Sequence, residues 1–373
     1  MTERPTRILI IGSASVHTWR YLAGIAPHVD ELYLACNGDV PLERRPANLK
    51  DVLRVDFRLA ALGTARRLQR WLAEIQPQLV HVHQANSVAW HAQRALAGSG
   101  IPLVLTAWGS DVLLLPERNR LMRQMVRANL KAADVITSDS LYMAARIRAL
   151  AGESCQIRLL NYGIDALPAV PDLAAKPRNV LSCRLHKPLY RIDAILHGWA
   201  AVEADPRFAD WTLTVAASGS ETDALKRLAE NLGLRRVDFT GFVSSDVLNQ
   251  LYRQARVFVS VPRSDATSIS LLEAMGHGCL PLLSNLPANG EWVIDGLNGI
   301  IAEDVAQLAP SLMRAMTLAE DNEQLARSVA INRELVAAKA LHADNMAAFA
   351  ALYRELLARQ GKTGGVAARQ EQG

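Results

Sequence analysis

Two carboxylates eight residues apart, Asp265 and Glu273, bracket a helix start in the segment SDATSISLLEAMGHG at 264–278. Thr267, Ser268 and Ser270 are residue types that open helices, and Leu271-Leu272-Glu273-Ala274-Met275 continues one. A helix beginning here presents free backbone N–H groups and the positive end of its dipole, which suits a phosphate. Asp265 then falls in the loop before the helix and Glu273 about a turn inside it. Each carboxylate can accept hydrogen bonds from neighbouring sugar hydroxyls. The pattern points to a nucleotide-sugar site; the plainer reading of the same residues is ordinary capping.

Three further segments carry groups of the right type. SCRLHKPLYRID at 182–193 follows a strand and holds Arg184, Lys187 and Arg191. Cations fixed there suit a diphosphate whose charge grows as it leaves, and the bland alternative is a solvated basic turn. GSASVHTWR at 12–20 begins with Gly12 and Ser13, a turn that lets a ligand approach the backbone, and contains His17, which either touches a substrate or caps a helix. It is not GxGxxG, and the second strand ends in Cys36 instead of an acid, so the dinucleotide fingerprint is absent. In HVHQAN at 81–86 strand alternation sends His81 and His83 to one side, with His83 nearer the carboxyl end. An HxH pair can ligate a metal, but no third ligand has matching spacing; a sugar contact from His83 or a satisfied half-buried pair remain. Trp108 and Asp111, in the WGSD turn after the fourth strand, join His17 and Asn86 as acceptor-side candidates; the alternative for the turn is a core Trp. GxxxxGK[ST], HExxH, GxSxG and DxD are all absent, as is any nucleic-acid-binding motif.

The elements that must position these residues alternate. Strand-like runs occur at 7–11, 31–36, 79–83, 103–106 and 134–137, with a helical period at 63–75. After a break at ALPAVPD (166–172) the pattern restarts, with strands at 179–182, 211–215, 237–240, 257–260 and 280–283. Short apolar strands separated by helices predict parallel sheets covered on both faces. Two doubly wound units follow, with ligands expected at the carboxyl ends of strands and in the cleft between the units. The expected boundaries are 1–167 and 168–344. An amphipathic helix at about 345–360 is expected to pack back on the first unit, and 361–373 to form a disordered tail.

Composition is consistent with this. Of 373 residues, 50% are apolar and 21% charged, enough apolar surface to exclude wholesale disorder. No apolar run is long enough to span a membrane, and no secretory signal is seen at the start. Four scattered cysteines without a CxxC pair predict neither a disulfide framework nor a zinc site, and fit a reducing cytoplasm. Residues 1–168 carry 20 Lys and Arg against 14 Asp and Glu, while the remainder carries 21 against 23. The basic half is the one expected to meet something anionic.

Taken in order, LVHVH (79–83), LTAWGSD (105–111), ADVITSDS (133–140), NYGID (161–165), CRLHKPLYRID (183–193), VDFTGFV (237–243), ARVFVSVP (255–262) and SDATSISLLEAMGHGCLPLLS (264–284) resemble the retaining GT-B glycosyltransferases, in particular the large family-four group. The resemblance covers residues 7–358 and implies two Rossmann-like domains facing a central cleft. It implies that Glu273 holds the ribose hydroxyls and that Asp265, where relatives carry Glu, meets the transferred sugar. Ser268, Ile269 and Ser270 would cradle the diphosphate, with Arg184 as the phosphate-binding Arg. Lys187, with Arg191 second, would complete the cation pair. Gly241, Phe242 and Val243 would lie at the base, His83 would reach the sugar, and Gly12 and Ser13 would line the loop near the diphosphate. The implied reaction is metal-free transfer with retention from a nucleotide sugar, UDP-linked on family frequency, to a glycan or lipid-linked acceptor of bacterial surface polysaccharide or lipopolysaccharide. Trp108 departs from the His common in relatives, and the first loop lacks their double Gly.

The acceptor side is read from 112–135, where Arg118, Arg120, Arg123, Arg127 and Lys131 interleave with Leu121, Met122, Met125, Val126 and Leu130. Such a helix can lie on anionic lipid at the inner face of the cell membrane, or simply present a solvated face over an apolar stripe. Two other functions share the architecture: a sugar-nucleotide epimerase, and a non-catalytic nucleotide-sugar-binding partner of another transferase.

Overall fold

The computed structural model describes residues 5–370, with side chains through residue 360. The chain divides into two compact units, Met1–Tyr162 with His342–Gly373, and Gly163–Leu341. The boundaries thus lie five residues earlier than the prolines of the 166–172 segment suggested, and three residues earlier at the return. Tyr162 and His342 belong to the first unit because they bond each other there, His342 Nδ1 lying 2.6 Å from the Tyr162 carbonyl.

The first unit is built on a parallel sheet of seven strands: β1 (Arg7–Ile11), β2 (Glu31–Cys36), β3 (Leu49–Arg54), β4 (Leu79–His83), β5 (Leu103–Thr106), β6 (Val135–Ser138) and β7 (Ile157–Leu159). Their order is β3-β2-β1-β4-β5-β6-β7. Ile8 pairs with Leu32 on one side and Leu79 on the other, so the winding reverses between β1 and β4. Such a reversal leaves a crevice at the carboxyl ends of the two strands.

The second unit repeats the plan with six parallel strands: β8 (Asn179–Ser182), β9 (Thr212–Ala216), β10 (Val237–Gly241), β11 (Val257–Ser260), β12 (Leu280–Ser284) and β13 (Ile300–Ala302). The order β10-β9-β8-β11-β12-β13 puts its reversal between β8 and β11.

Strands β4, β5, β6 and β11 are buried along their whole length, which is why they read as apolar runs. The three strands that the sequence did not reveal, β3, β7 and β13, are all at sheet edges. β3 (LKDVLR) and β7 (IRL) keep charges facing solvent, as edge strands do, and β13 has only three residues.

In the first unit Ile8, Ile10, Leu32, Leu79 and Val104 form one core with Tyr21, Leu22, Met346, Phe349, Tyr353 and Leu356. The last four lie on the helix His342–Gln370. Tyr353 locks that helix to the sheet: its hydroxyl lies 2.6 Å from both Tyr21 Oη and His81 Nδ1. Residues 361–370, expected as a disordered tail, continue this helix, because extending an established helix is far easier than nucleating one. Residues 371–373 lie outside the described residues.

In the second unit a buried cation ties the helix ends together. Lys176, 4% exposed, donates to the carbonyls of Ala255 (2.9 Å), His277 (2.9 Å) and Gly278 (3.0 Å). These carbonyls end the helices Ser245–Gln254 and Ile269–Gly276. A cation is stabilised at helix C-termini, and burial lowers its pKa.

Candidate functional site

In the second unit, the residues that could bind an anion gather at the carboxyl ends of β8 and β11. Arg184 lies two residues beyond β8, and the loop after β11 leads into the helix Ile269–Gly276. The Arg184 side chain is 11% exposed, with Nη2 2.8 Å from Asp265 Oδ2. Its Nη1 donates to Ser268 Oγ and, at 3.2 Å, to Ser270 Oγ. The guanidinium lies 4.5 Å from the Tyr190 ring centre. Burial opposes the charge, but Asp265 and Tyr190 outweigh it and raise the pKa, so the group is a permanent cation.

Ser268 is the N-cap of the helix, yet its hydroxyl makes no cap bond. It is engaged with Arg184 and with Ser270 Oγ, 2.8 Å away. The first-turn amides of Ile269 and Ser270 therefore lack the usual side-chain acceptor as well as an intrahelical one. A fixed cation beside uncapped amides is what an anionic oxygen requires.

Glu273, in the second turn, is held by Tyr252, whose hydroxyl donates to Oε2 at 3.0 Å and lies 3.3 Å from the Ser270 carbonyl. The half-buried Cys183 thiol is 3.2 Å from the same hydroxyl, and desolvation pushes its pKa up to about 12. Thr267 Oγ1 accepts from Trp292 Nε1 at 3.2 Å.

The two candidates for a second cation differ. Arg191 sits at φ 51°, and its guanidinium donates to the carbonyls of Val261 (2.6 Å) and Pro262 (2.8 Å). It braces the loop that carries Asp265 through these two donors. Lys187 is exposed, and no described residue pairs with its ammonium. Gly241 ends β10 at φ 71°, followed by Phe242, 78% exposed, and the half-buried Val243.

In the first unit, Gly12, His83 and Trp108 follow or end β1, β4 and β5, neighbours in the sheet. A Cβ at Gly12 would lie 3.4 Å from His83 Cβ and 3.3 Å from Thr18 Oγ1, so the turn passes close over the histidine. Ser13 Oγ donates to Gln84 Oε1 at 2.7 Å, and Gln84 itself is held at φ 79°, a strained conformation of the kind found at ligand sites. His17 is exposed, its ring 5.4 Å from that of Trp108.

His81 and His83 do lie side by side, ring centres 4.6 Å apart. His81 is satisfied at both nitrogens, by Tyr21 and Tyr353 at Nδ1 and by Thr106 Oγ1 (2.6 Å) at Nε2. His83 bonds Tyr162 Oη through Nδ1 at 2.9 Å, while its buried Nε2 has no partner among the described residues. Burial, with a smaller effect of His17, pushes its pKa down to about 3, so the ring is neutral. Among the described residues, no three His, Cys, Asp or Glu side chains gather as a metal site would need.

Two acceptor-side candidates have structural partners. Asp111 is 4% exposed, and its carboxylate accepts from the amides of Ala85 (2.6 Å) and Trp108 (2.9 Å). It pins two loops together. Asn86 caps the helix Ser87–Leu96 through the Val88 amide at 2.9 Å.

Comparison with known families gives this geometry a context. Residues 7–140 match the family described as Glycosyl transferase 4-like, and residues 176–317 match Glycosyl transferases group 1. The chain belongs to the GT-B glycosyltransferases of group 1. Among curated relatives of this family, a GDP-mannose:cellobiosyl-diphosphopolyprenol alpha-mannosyltransferase of Xanthomonas oryzae is 27% identical over 176 residues. That match takes in 45% of this chain and 45% of the relative, so the chain aligns with under half of that protein's length. Two solved structures share the GT-B fold. Sucrose-phosphate synthase from Thermosynechococcus elongatus has a TM-score of 0.78 at 17% identity, covering 95% of this chain and all of that one. An Anabaena protein, Alr3699/HepE in complex with UDP and glucose, has a TM-score of 0.76 at 16% identity, covering 94% and 100%.

Sequence reasoning singled out Arg184 and the 264–278 segment but missed the residues that hold them. Tyr252 and Tyr162 each reach a site residue from elsewhere in the chain, and Tyr190 reaches Arg184 from within the same segment. Tyr190 and Tyr162 carried a signal, as parts of the CRLHKPLYRID and NYGID motifs.

Proposed function

We propose that this protein is a metal-independent, retaining glycosyltransferase. It moves a sugar from a nucleotide sugar, UDP-linked in our reading, to a glycan or lipid-linked acceptor in the assembly of a bacterial surface polysaccharide or glycoconjugate. One observation carries this reading: Arg184 fixed by Asp265, Ser268 and Ser270 at an uncapped helix start, with Glu273 one turn further on. The diphosphate meets Arg184 and the amides of Ile269 and Ser270, Glu273 accepts the ribose hydroxyls, and the exposed Phe242 faces the base. Exposed Lys187 supplies the second cation. As the bond from the anomeric carbon to the diphosphate breaks, the acceptor oxygen bonds that carbon on the same face. Its proton passes to the departing phosphate oxygen, whose charge the cations stabilise. The UDP bound in the solved Anabaena neighbour supports the base, and the GDP-mannose in the mannosyltransferase relative's name favours GDP as the second choice.

On the acceptor side, Arg120, Arg123, Arg127 and Lys131 line one groove of about 480 Å³ with Ala149, Leu150, Ala151 and Gly152. All four cations are exposed, while Met125, Val126 and Leu130 of the same helix are buried. This basic face suits anionic lipid, and we assign it to peripheral contact at the inner face of the cell membrane. No helix among the described residues is long and apolar enough to cross a membrane.

The test is to incubate the protein with UDP-glucose and with GDP-mannose, with and without lipid-diphosphate-linked oligosaccharides, and to analyse products by NMR. A new glycosidic bond of the donor's anomeric configuration is expected. An epimerised donor formed without acceptor would make the protein an epimerase, and binding without turnover would make it a partner of another enzyme.

A further inference from the structure

Four cations on one helix of the first unit stand without partners. Arg120, Arg123, Arg127 and Lys131 are exposed on the helix Arg120–Ala132 and line the groove of about 480 Å³. None pairs with a carboxylate among the described residues, and no lining residue is acidic. Elsewhere in the same unit Arg54, Arg58 and Arg146 each have a carboxylate partner, Asp39 at 3.1 Å, Asp56 at 2.6 Å and Glu117 at 2.8 Å. The row is also unfavourable on its own helix. Successive members are three or four residues apart, so like charges are neighbours on the surface. Arg120 opens the helix, at the positive end of the dipole, and the first turn holds no acid. Cations gathered at such a cost repel one another, and a bound anion relieves that repulsion.

The shape of the groove narrows the ligand. Its second wall is Ala149, Ala151 and Gly152, at the end of the helix Leu141–Ala151. A Cβ at Gly152 would meet nothing within 4 Å, so the space in front of this wall is open. Arg123 and Arg127 are about 6 Å apart along the helix axis, and their planar forks match phosphate oxygens. A headgroup with one phosphodiester brings a single charge and leaves most of the row unmatched. Two linked phosphates bring more charge in one headgroup and occupy adjacent positions of the row. Next to Arg120, Leu121 is 66% exposed, an apolar side chain that acyl chains can cover. That contact favours a lipid over a free anion.

We propose that this groove seats the headgroup of a lipid diphosphate. The inference rests on the membrane contact proposed above and goes beyond it, since a discrete seat discriminates between lipids of equal charge, whereas a basic face senses only the average surface potential.

The test is flotation of the full chain with phosphatidylcholine vesicles that carry either phosphatidylglycerol or diacylglycerol diphosphate, matched for zeta potential and ionic strength. The diphosphate vesicles should bind at least about tenfold more tightly, the equivalent of one charge-assisted hydrogen bond. Arg123→Gln with Arg127→Gln should remove that preference without changing the melting temperature. Arg66→Gln with Arg70→Gln removes the same charge from exposed positions on the helix Thr64–Ile75 and should leave the preference intact. Equal binding of the two vesicle types, weakened alike by both double variants, overturns the seat and leaves the membrane contact standing. Binding of neither vesicle at low salt overturns both. A further titration uses inorganic diphosphate alone. Binding that is lost in Arg123→Gln with Arg127→Gln, without any vesicle preference, would make this a site for a free anion and overturn the lipid assignment.

Discussion

Removing the Arg184 guanidinium should abolish nucleotide binding without unfolding the protein. Arg184 is the buried cation of the second unit's site, oriented at three points, by Asp265 at 2.8 Å, by the two serines and by the Tyr190 ring. These contacts leave further N–H donors of the fork for a ligand. A hydrogen bond to a charged group contributes about 1.5–3 kcal/mol. Two such bonds to a diphosphate amount to about 3–6 kcal/mol, or roughly two to four decades in Kd. Arg184→Lys retains a charge but not the fork, and so should lose one to two decades. Folding should suffer less, because the Asp265 side chain is 21% exposed and can be hydrated once its partner is gone. Calorimetric titration with UDP and GDP, paired with thermal melting, reads both effects. An Arg184→Ala protein that binds within threefold of the parent would refute the placement of the diphosphate.

Other outcomes follow from the same contacts. Lys176→Met strands the buried carbonyls of Ala255, His277 and Gly278 and should destabilise the second unit by about 3 kcal/mol or more, read as a fall in its urea midpoint. Acid should destabilise both units. The folded pKa values of His81, His83 and His277 lie below the ordinary 6.5, at about 3 for His83 and about 4 for His277, chiefly through burial. The unfolded chain therefore binds more protons as pH falls through 6.5. Stability drops by up to about 1.4 kcal/mol per histidine per pH unit, or about 4 kcal/mol for the first unit's pair at pH 5. A urea midpoint equal at pH 7.5 and pH 5 would contradict this. The Cys183 thiol, held protonated by burial, should resist alkylation at pH 8 in the folded protein and react on unfolding.

The legible parts of the sequence were those whose physics is local. Central strands such as LVHVH and VFVS are covered on both faces and so write themselves as apolar runs. Edge strands such as LKDVLR keep one side in water and look like loop. The 264–278 segment could be read because cap, helix and carboxylates fall within fifteen residues. What could not be read depends on contacts across the fold. Tyr162 lies 79 residues from His83, and Lys176 lies 101 from His277. Nothing in the spacing of Arg184, Lys187 and Arg191 tells which guanidinium folds back on carbonyls; it is Arg191, which sits at a left-handed turn. The acid of WGSD gives no sign in the sequence that two backbone amides from separate turns donate to it.

The central claim is that the helix Ile269–Gly276 holds a nucleoside diphosphate with Glu273 on its ribose. Titrating UDP and GDP into the parent protein and into Glu273→Ala by calorimetry tests it most directly. The account predicts that one nucleotide binds the parent and binds Glu273→Ala at least about tenfold more weakly, the equivalent of one charged hydrogen bond. Equal binding of that nucleotide by both proteins, or binding of neither nucleotide by the parent, would contradict it.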